Sequence, residues 1–267
     1  GDMDHGDMDH GDMDHGDMDH GDMDHGDMDH GDMEMAPDGI ALAEGARGRD
    51  GLEMDVLHVR LGPFLPHWPA GLVIDTTLQG DVITQATGQV VGTVPKSGRA
   101  PAQVWSEGLS DRDLDGVWRW DNLARLLALV GWQDAALRAQ ACRNAMFAAA
   151  DSGDIDERAA VLARRIARSR SLRWSLRGVG PLSTQTCSRL GLADSLAGDS
   201  YERLMGMVDR CLHVRDGEST APLEQEAPDL ATLPTTLVGV DLAVARVVLA
   251  TLDLRPEWFA TQEVLDG

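Results

Sequence analysis

Met54-Asp55-Val56-Leu57-His58-Val59-Arg60-Leu61, then Gly62-Pro63-Phe64-Leu65-Pro66-His67-Trp68-Pro69-Ala70-Gly71, then Leu72-Val73-Ile74-Asp75-Thr76-Thr77-Leu78 run consecutively, and their reading decides the fold. The first and third stretches carry the partly alternating, β-branched pattern of strands, whereas the middle one is a rigid, proline-punctuated loop. A further strand is expected over Val82–Val91, joined to its predecessor near Gly80-Asp81, a pair suited to a tight hairpin turn. Residues 52–91 therefore predict a small antiparallel sheet.

Beyond a loop at Lys96–Ala102 the pattern turns helical. Asp121 is expected to cap a helix carrying Leu123, Leu126, Leu127 and Val130, with Gly131 ending it. A second helix is expected over about Gln133–Ala150. A third, about Ile155–Ser171, places Ile155, Ala159, Leu162 and Ile166 at three- and four-residue steps. Gly178-Val179-Gly180-Pro181 breaks the chain, and Ser183 opens a short helix ending by Gly191. Asp199 with Glu202 forms a capping box for a helix reaching about Val214. Asp216–Pro234 reads as polar loop. The last helix, about Thr236–Leu252, is apolar on most sides and is therefore expected to be central. The class is α+β: residues 51–100 a hairpin sheet, residues 101–267 an antiparallel helical bundle, and residues 1–50 a tail.

That tail opens with six copies of Gly-Asp-Met-Asp-His followed by a decayed seventh, Gly31–Met35. It lacks the apolar content needed to offset chain entropy and reads as disordered. Residues 1–35 hold fourteen acidic residues and no Lys or Arg, so removing them from the formal charge of -22 leaves about -8 for the rest. Neither part has the basic surplus of a duplex-binding protein, and no nucleic-acid partner is expected. The chain opens inside a repeat without an initiator Met, so residues are expected to precede it.

Cys142, Cys187 and Cys211 are an odd number of widely spaced thiols, which argues against a disulfide framework or a cysteine-based metal cluster. No apolar run approaches the ~18 residues needed to cross a bilayer. A cytoplasmic setting fits, including the cytoplasmic face of the inner membrane. No Ser-His-Asp order, phosphate loop or dinucleotide fingerprint is present, because Gly178-Val179-Gly180 is followed by Pro and lacks the third glycine.

Several landmarks resemble a known family. Leu61-Gly62-Pro63-Phe64-Leu65-Pro66, then Gly71 and a strand–turn–strand through Gly80-Asp81-Val82, is similar to the opening of the quinone-site (49-kDa type) subunit of respiratory complex I, itself related to the large subunits of nickel–iron hydrogenases. Leu126–Met146 resembles the paired helices of that family's bundle. Arg177-Gly178-Val179-Gly180-Pro181-Leu182-Ser183 resembles its Gly-Val-Gly-Val-Leu-Ser segment. Leu190-Gly191-Leu192 and Gly198-Asp199-Ser200-Tyr201-Glu202-Arg203 match its next landmarks, and Leu242–Asp253 is similar to its closing helix. The family's usual chain is much longer, so the stretches around Pro95 and Pro222 would be deletions.

The resemblance implies a bundle packed on a hairpin sheet, with a small iron–sulfur subunit or other complex I- or hydrogenase-like subunits as partners and membrane contact only through them. It also marks departures. The hydrogenase branch binds nickel and iron with two Cys-x-x-Cys pairs, and neither exists here. In the complex I branch a loop His and a bundle Tyr face the quinone. Here Leu65 replaces the His of Gly-Pro-Gln-His-Pro, Ala70 stands before Gly71 where a second His is expected, and Tyr201, the only tyrosine, falls in a different landmark. A quinone site would survive only by substitution, with His67 as hydrogen-bonding group and Trp68 as stacking partner. The folded part is expected to bind no cofactor of its own and to be at most weakly catalytic.

Two further groups are candidates from their chemistry. His5, His10, His15, His20, His25 and His30, each flanked by carboxylate and thioether, could gather nickel, copper or zinc by multivalency on a flexible chain. The alternative is a slipped acidic repeat without a specific ligand. Arg164, Arg168, Arg173 and Arg177 belong to a dense basic stretch suited to docking on an acidic partner, or simply to a solvated helix face.

Overall fold

The computed structural model describes residues 45–47, 53–90, 109–148, 152–214 and 228–255. Four strands, β1 (Gly45–Arg47), β2 (Glu53–Leu61), β3 (Leu72–Gln79) and β4 (Val82–Val90), form one antiparallel sheet in sequence order. Val59 pairs with Thr76 and Thr76 with Ala86, and these three share the inner face with Leu61 and Ile74. The outer face carries polar rows: Arg60 opposite Asp75 opposite Thr87, and His58 opposite Thr77 opposite Gln85. This alternation is what a one-sided sheet requires. β1 lies in the stretch assigned to the tail by composition; it forms because Glu53–Asp55 offer it a free strand edge.

Among the described residues seven α-helices follow: α1 (Asp111–Leu129), α2 (Gln133–Phe147), α3 (Ser152–Arg168), α4 (Arg170–Leu176), α5 (Thr184–Arg189), α6 (Ser200–His213) and α7 (Leu242–Thr251). The predicted α+β class and the order of its elements hold. Three boundaries differ. The first helix begins not at Asp121 but at Ser110, whose hydroxyl accepts from the Asp113 N–H at 3.2 Å. Asp121 lies mid-helix and accepts from Arg125 Nε at 2.8 Å, with Arg143 of α2 on its other oxygen. The helix predicted to run to Ser171 stops at Arg168, because the Ser169 hydroxyl caps α4 through the Leu172 N–H. The closing helix starts at Leu242 rather than Thr236. Residues Leu233–Leu237 form a 3₁₀ turn, and the backbone after it is taken up by the sheet: the Gly239 N–H donates to Ile83 O at 2.8 Å, Ile83 N–H to Val240 O at 3.0 Å and Leu242 N–H to Asp81 O at 2.9 Å. Asp241 then caps α7.

Two apolar cores result. One fills the bundle of α1, α2, α3 and α6, with Leu123, Leu127, Ala139, Leu162, Ile166 and Leu204 fully buried. The other lies between the sheet and residues 182–254, with Leu72, Ile74, Ile83, Leu190, Leu233 and Leu249. Helix α7 serves both: Ala245, Val248 and Leu249 belong to the sheet core, while Val247 and Ala250 pack on the bundle core. That double contact explains its apolarity on most sides.

The Gly-Pro loop is seated in this junction. Trp68 is buried and its indole N–H donates to Leu72 O at 2.8 Å, closing the loop on itself. Gly62 takes φ +88°, and a Cβ there would stand 2.3 Å from Leu72 O and 2.5 Å from Trp68 Nε1. Only glycine meets both demands. Gly62→Ala is expected to lower stability by about 3 kcal/mol, combining left-handed strain with overpacking. Urea unfolding measures it; a loss below ~1 kcal/mol would mean the loop is not packed as described.

Candidate functional site

The loop, α1 and α7 meet at a cleft lined by His67, Pro69, Asn122, Arg125, Leu249, Ala250 and Leu254. Its free volume is about 10 Å³, enough for one water molecule. His67 and Trp68, adjacent in sequence, divide their roles here. Trp68 is core, whereas His67 is exposed at the cleft with φ +61°, a conformation that L-residues other than Asn, Asp and His seldom adopt. Arg246 on α7 fixes the loop from the other side by donating to Pro66 O at 2.9 Å.

Behind the cleft lies a buried ionic network that sequence reading did not anticipate. Asn122 Nδ2 donates to Asp253 Oδ1 at 2.9 Å and to Leu254 O at 3.1 Å. Arg210 Nε donates to Asp253 Oδ2 at 3.2 Å, and Arg119 Nη1 stands 4.0 Å from the same oxygen. Arg119 also donates from Nε to Asp115, whose other oxygen accepts from Arg255. Asp253 itself takes φ +56°, so the turn leaving α7 is bent to aim its carboxylate inward. The network joins α1 to α6 and to the turn after α7. Its geometry is that of a structural clasp, since each carboxylate is occupied by guanidinium or amide donors.

A second buried cation completes the support. Arg203 on α6 is 1% exposed. It donates from Nε to Thr251 Oγ1 at 2.9 Å, from Nη1 to Gly198 O at 2.5 Å, and from Nη2 to Gly180 O at 2.8 Å and Ser200 Oγ at 3.0 Å. Among the described residues no carboxylate contacts it directly. Burial pushes its pKa down to about 10, with Asp199 and Glu202 among the nearby charges opposing that shift, so it remains a cation at neutral pH. Its signal was present in the sequence: Ser200, Arg203, Leu204, Met207, Val208 and Cys211 are the buried stripe of α6, and Arg203 occupies a core position in it. Gly180, at φ +50°, lets this segment approach α7, because a Cβ there would stand 2.1 Å from Val248 Cγ2.

Asp199 caps α6 by accepting from the N–H groups of Tyr201 and Glu202, while Glu202 Oε2 accepts from the Asp199 N–H at 2.9 Å. The Gly178 N–H reaches the other Asp199 oxygen at 2.9 Å. Partial burial works against the charged carboxylate, but the backbone donors from Gly178, Glu202 and Tyr201, with Arg203 nearby, hold its pKa below the usual range.

The basic stretch divides into separate surfaces. Arg164 and Arg168 lie four residues apart on the exposed side of α3. Arg165 instead pairs with Asp134 of α2 and stands over the Trp132 ring at 5.5 Å. Arg173 stands 6.0 Å from the centroid of Tyr201, so this tyrosine is engaged with α4. Arg177 caps the C-terminus of α4, whose outward residue Trp174 is 85% exposed. Among the described residues no group of three or more His, Cys, Asp or Glu side chains converges as a metal site. His5, His10, His15, His20, His25 and His30 lie outside the described residues.

No protein-family model and no curated protein matches the chain. Its fold is similar to that of a chain in the membrane-bound sulfane sulfur reductase, an archaeal respiratory membrane complex. The two superpose with a TM-score of 0.51 at 10% identity, over 77% of this chain and 98% of that one. The likeness is one of fold. No helix among the described residues is long and apolar enough to cross a membrane.

Two outcomes follow from the support network. Arg203→Met is expected to cost about 3 kcal/mol, because the Gly180 carbonyl and the Thr251 hydroxyl lose a guanidinium donor and the Gly198 carbonyl keeps only the Leu182 N–H. Thr251→Val, which removes one of the four contacts, should cost about 1 kcal/mol; equal losses for the two in urea unfolding would contradict the cage. Asp199→Ala should cost about 1–2 kcal/mol at neutral pH. Because folding lowers the Asp199 pKa, that contribution is complete above the unfolded carboxyl value near ~4 and disappears as pH falls through the folded one. The gap between wild type and variant should therefore narrow below about pH 4, and a gap independent of pH would assign the loss to something other than the carboxylate.

Proposed function

We propose that this protein is a structural or accessory subunit of a respiratory, complex I-like or hydrogenase-like assembly, and a cut-down relative of the quinone-site subunit without a nickel–iron centre. The observation that carries this reading is the fold match along nearly the whole of one chain from a respiratory membrane complex. Two features of the chain support it. The landmarks read from sequence occur in the order of that family, and the Gly-Pro loop is held against the closing helix by Trp68 and Arg246.

The close fit of the protein's own side chains around the loop cleft supports a structural role. A free volume of about 10 Å³ takes a water and not a quinone headgroup. Electron transfer then belongs to partner subunits, among them a small iron–sulfur subunit. Docking is assigned to the outer face of α4, where Trp174 stands one turn from Arg170 and just short of Arg177. An exposed Trp among arginines has the composition of an interface hot spot. Contact with a membrane is made through those partners.

Purification of the full-length, affinity-tagged chain from its native host tests this. An iron–sulfur subunit, read as bound iron and an electron paramagnetic resonance signal, is expected at near-equal stoichiometry. Trp174→Ala combined with Arg177→Glu should lower its recovery about tenfold, the equivalent of ~1.4 kcal/mol. A monodisperse protein free of any iron–sulfur partner would rule the reading out.

A further inference from the structure

The outward stripe of α3 has a charge pattern that its own fold leaves unused. Ile155, Ala159, Leu162 and Ile166 face the bundle core. Directly opposite, at the same helical spacing, stand Glu157, Val161, Arg164 and Arg168, all exposed, with Asp154 beside them. Val161 is an apolar side chain left 44% exposed at the middle of this stripe. Glu157, Arg164 and Arg168 make no ion pair or hydrogen bond among the described residues, and Asp154 has only an exposed bond to Arg158 on its own helix. Asp154 and Glu157 stand toward one end of the stripe and Arg164 and Arg168 toward the other, about equally far from Val161, while Arg158 at the acidic end is engaged by Asp154.

From this we infer that α3 is a self-complementary docking surface for a second copy of this chain, packed antiparallel about a two-fold axis at Val161. The spacing makes the match. With a rise of ~1.5 Å per residue, Asp154 and Arg168 stand about 10 Å on either side of Val161, and Glu157 and Arg164 about 6 Å and 5 Å. Reversing one helix against the other brings Asp154 opposite Arg168 and Glu157 opposite Arg164, twice each, with the two Val161 side chains in contact. An isologous interface requires this arrangement, in which residue i meets j and j meets i. A parallel pairing would instead set arginine against arginine. Each chain carries a formal charge of -22, yet most of it lies in the repeat, and charges farther than ~8 Å are screened at physiological salt. The inference is independent of the proposed subunit role, which uses α4.

Sedimentation velocity on the full-length protein tests it. A dimer with a dissociation constant on the order of 10 µM is expected, as suits a small interface. It should weaken at about 1 M salt, where the screening length falls to ~3 Å. Glu157→Arg alone, or Arg164→Glu alone, should weaken association at least about tenfold, because each places like charges opposite one another at two symmetric positions. The double variant, Glu157→Arg with Arg164→Glu, should return to within about twofold of wild type. All these sites are exposed, and unchanged circular dichroism confirms folding. A monomer persisting to about 0.5 mM would overturn the inference. So would a dimer indifferent to the single exchanges or one that the double exchange does not restore. Either result leaves iron–sulfur partner recovery through α4 to be judged on its own.

Discussion

The structure depends on a buried cation that, among the described residues, pairs directly with no carboxylate. Arg203 is fully buried, and moving its charge out of water carries a penalty of several kcal/mol that the nearby Asp199 and Glu202 offset only in part. The compensation is local and geometric: two backbone carbonyls and two hydroxyls, drawn from three segments distant in sequence. A lysine, with one compact ammonium, could not span Gly180, Gly198 and Thr251 together; the planar guanidinium fork can. The segment 178–183, the start of α6 and the end of α7 are thereby fixed relative to one another. The paired backbone bonds between Leu182 and Gly198 complete the same joint.

From that joint the rest of the arrangement follows. α7 is short and apolar on nearly every side, so it is stable only with both of its faces covered. The bundle covers one and the sheet core the other. The Gly-Pro loop folds over the gap between them, with Trp68 buried inward and its indole N–H satisfied within the loop. The Asp253 network does for the far end of α7 what the sheet does for its start, where residues 239–242 are hydrogen-bonded to the β3–β4 hairpin. The cleft beside His67 is narrow for this reason. The elements around it are tied at several points, and little free volume is left between them.

Periodicity and capping made much of this legible. The strands over 53–90, the buried stripe of α3, the Asp199–Glu202 box and the Gly131 stop are local patterns, set by interactions within a few residues, and all appear. The errors have two causes, a stronger local cap and a distant backbone partner. Asp121 has the chemistry of a cap, but Ser110 begins the helix eleven residues earlier, and Asp121 is drawn instead to Arg125 and Arg143. Thr236 has the apolar context of a helix start, but backbone pairing with β4 claims the residues that follow. The Ser110 cap is itself local, whereas at residues 239–242 partners distant in sequence took backbone groups that local propensity had assigned to a helix.

Composition and pattern thus determined the elements, their order, the acidic repeat and the lack of a thiolate metal motif, because these are properties of neighbouring residues. Only the tertiary structure decided that Trp68 is core while His67 faces the cleft, that Tyr201 lies under Arg173, and that a single basic stretch divides into surfaces on α3 and α4. Those outcomes are set by which faces become buried. Burial depends on contacts across 50 to 180 residues of chain, and no reading of one segment at a time contains them.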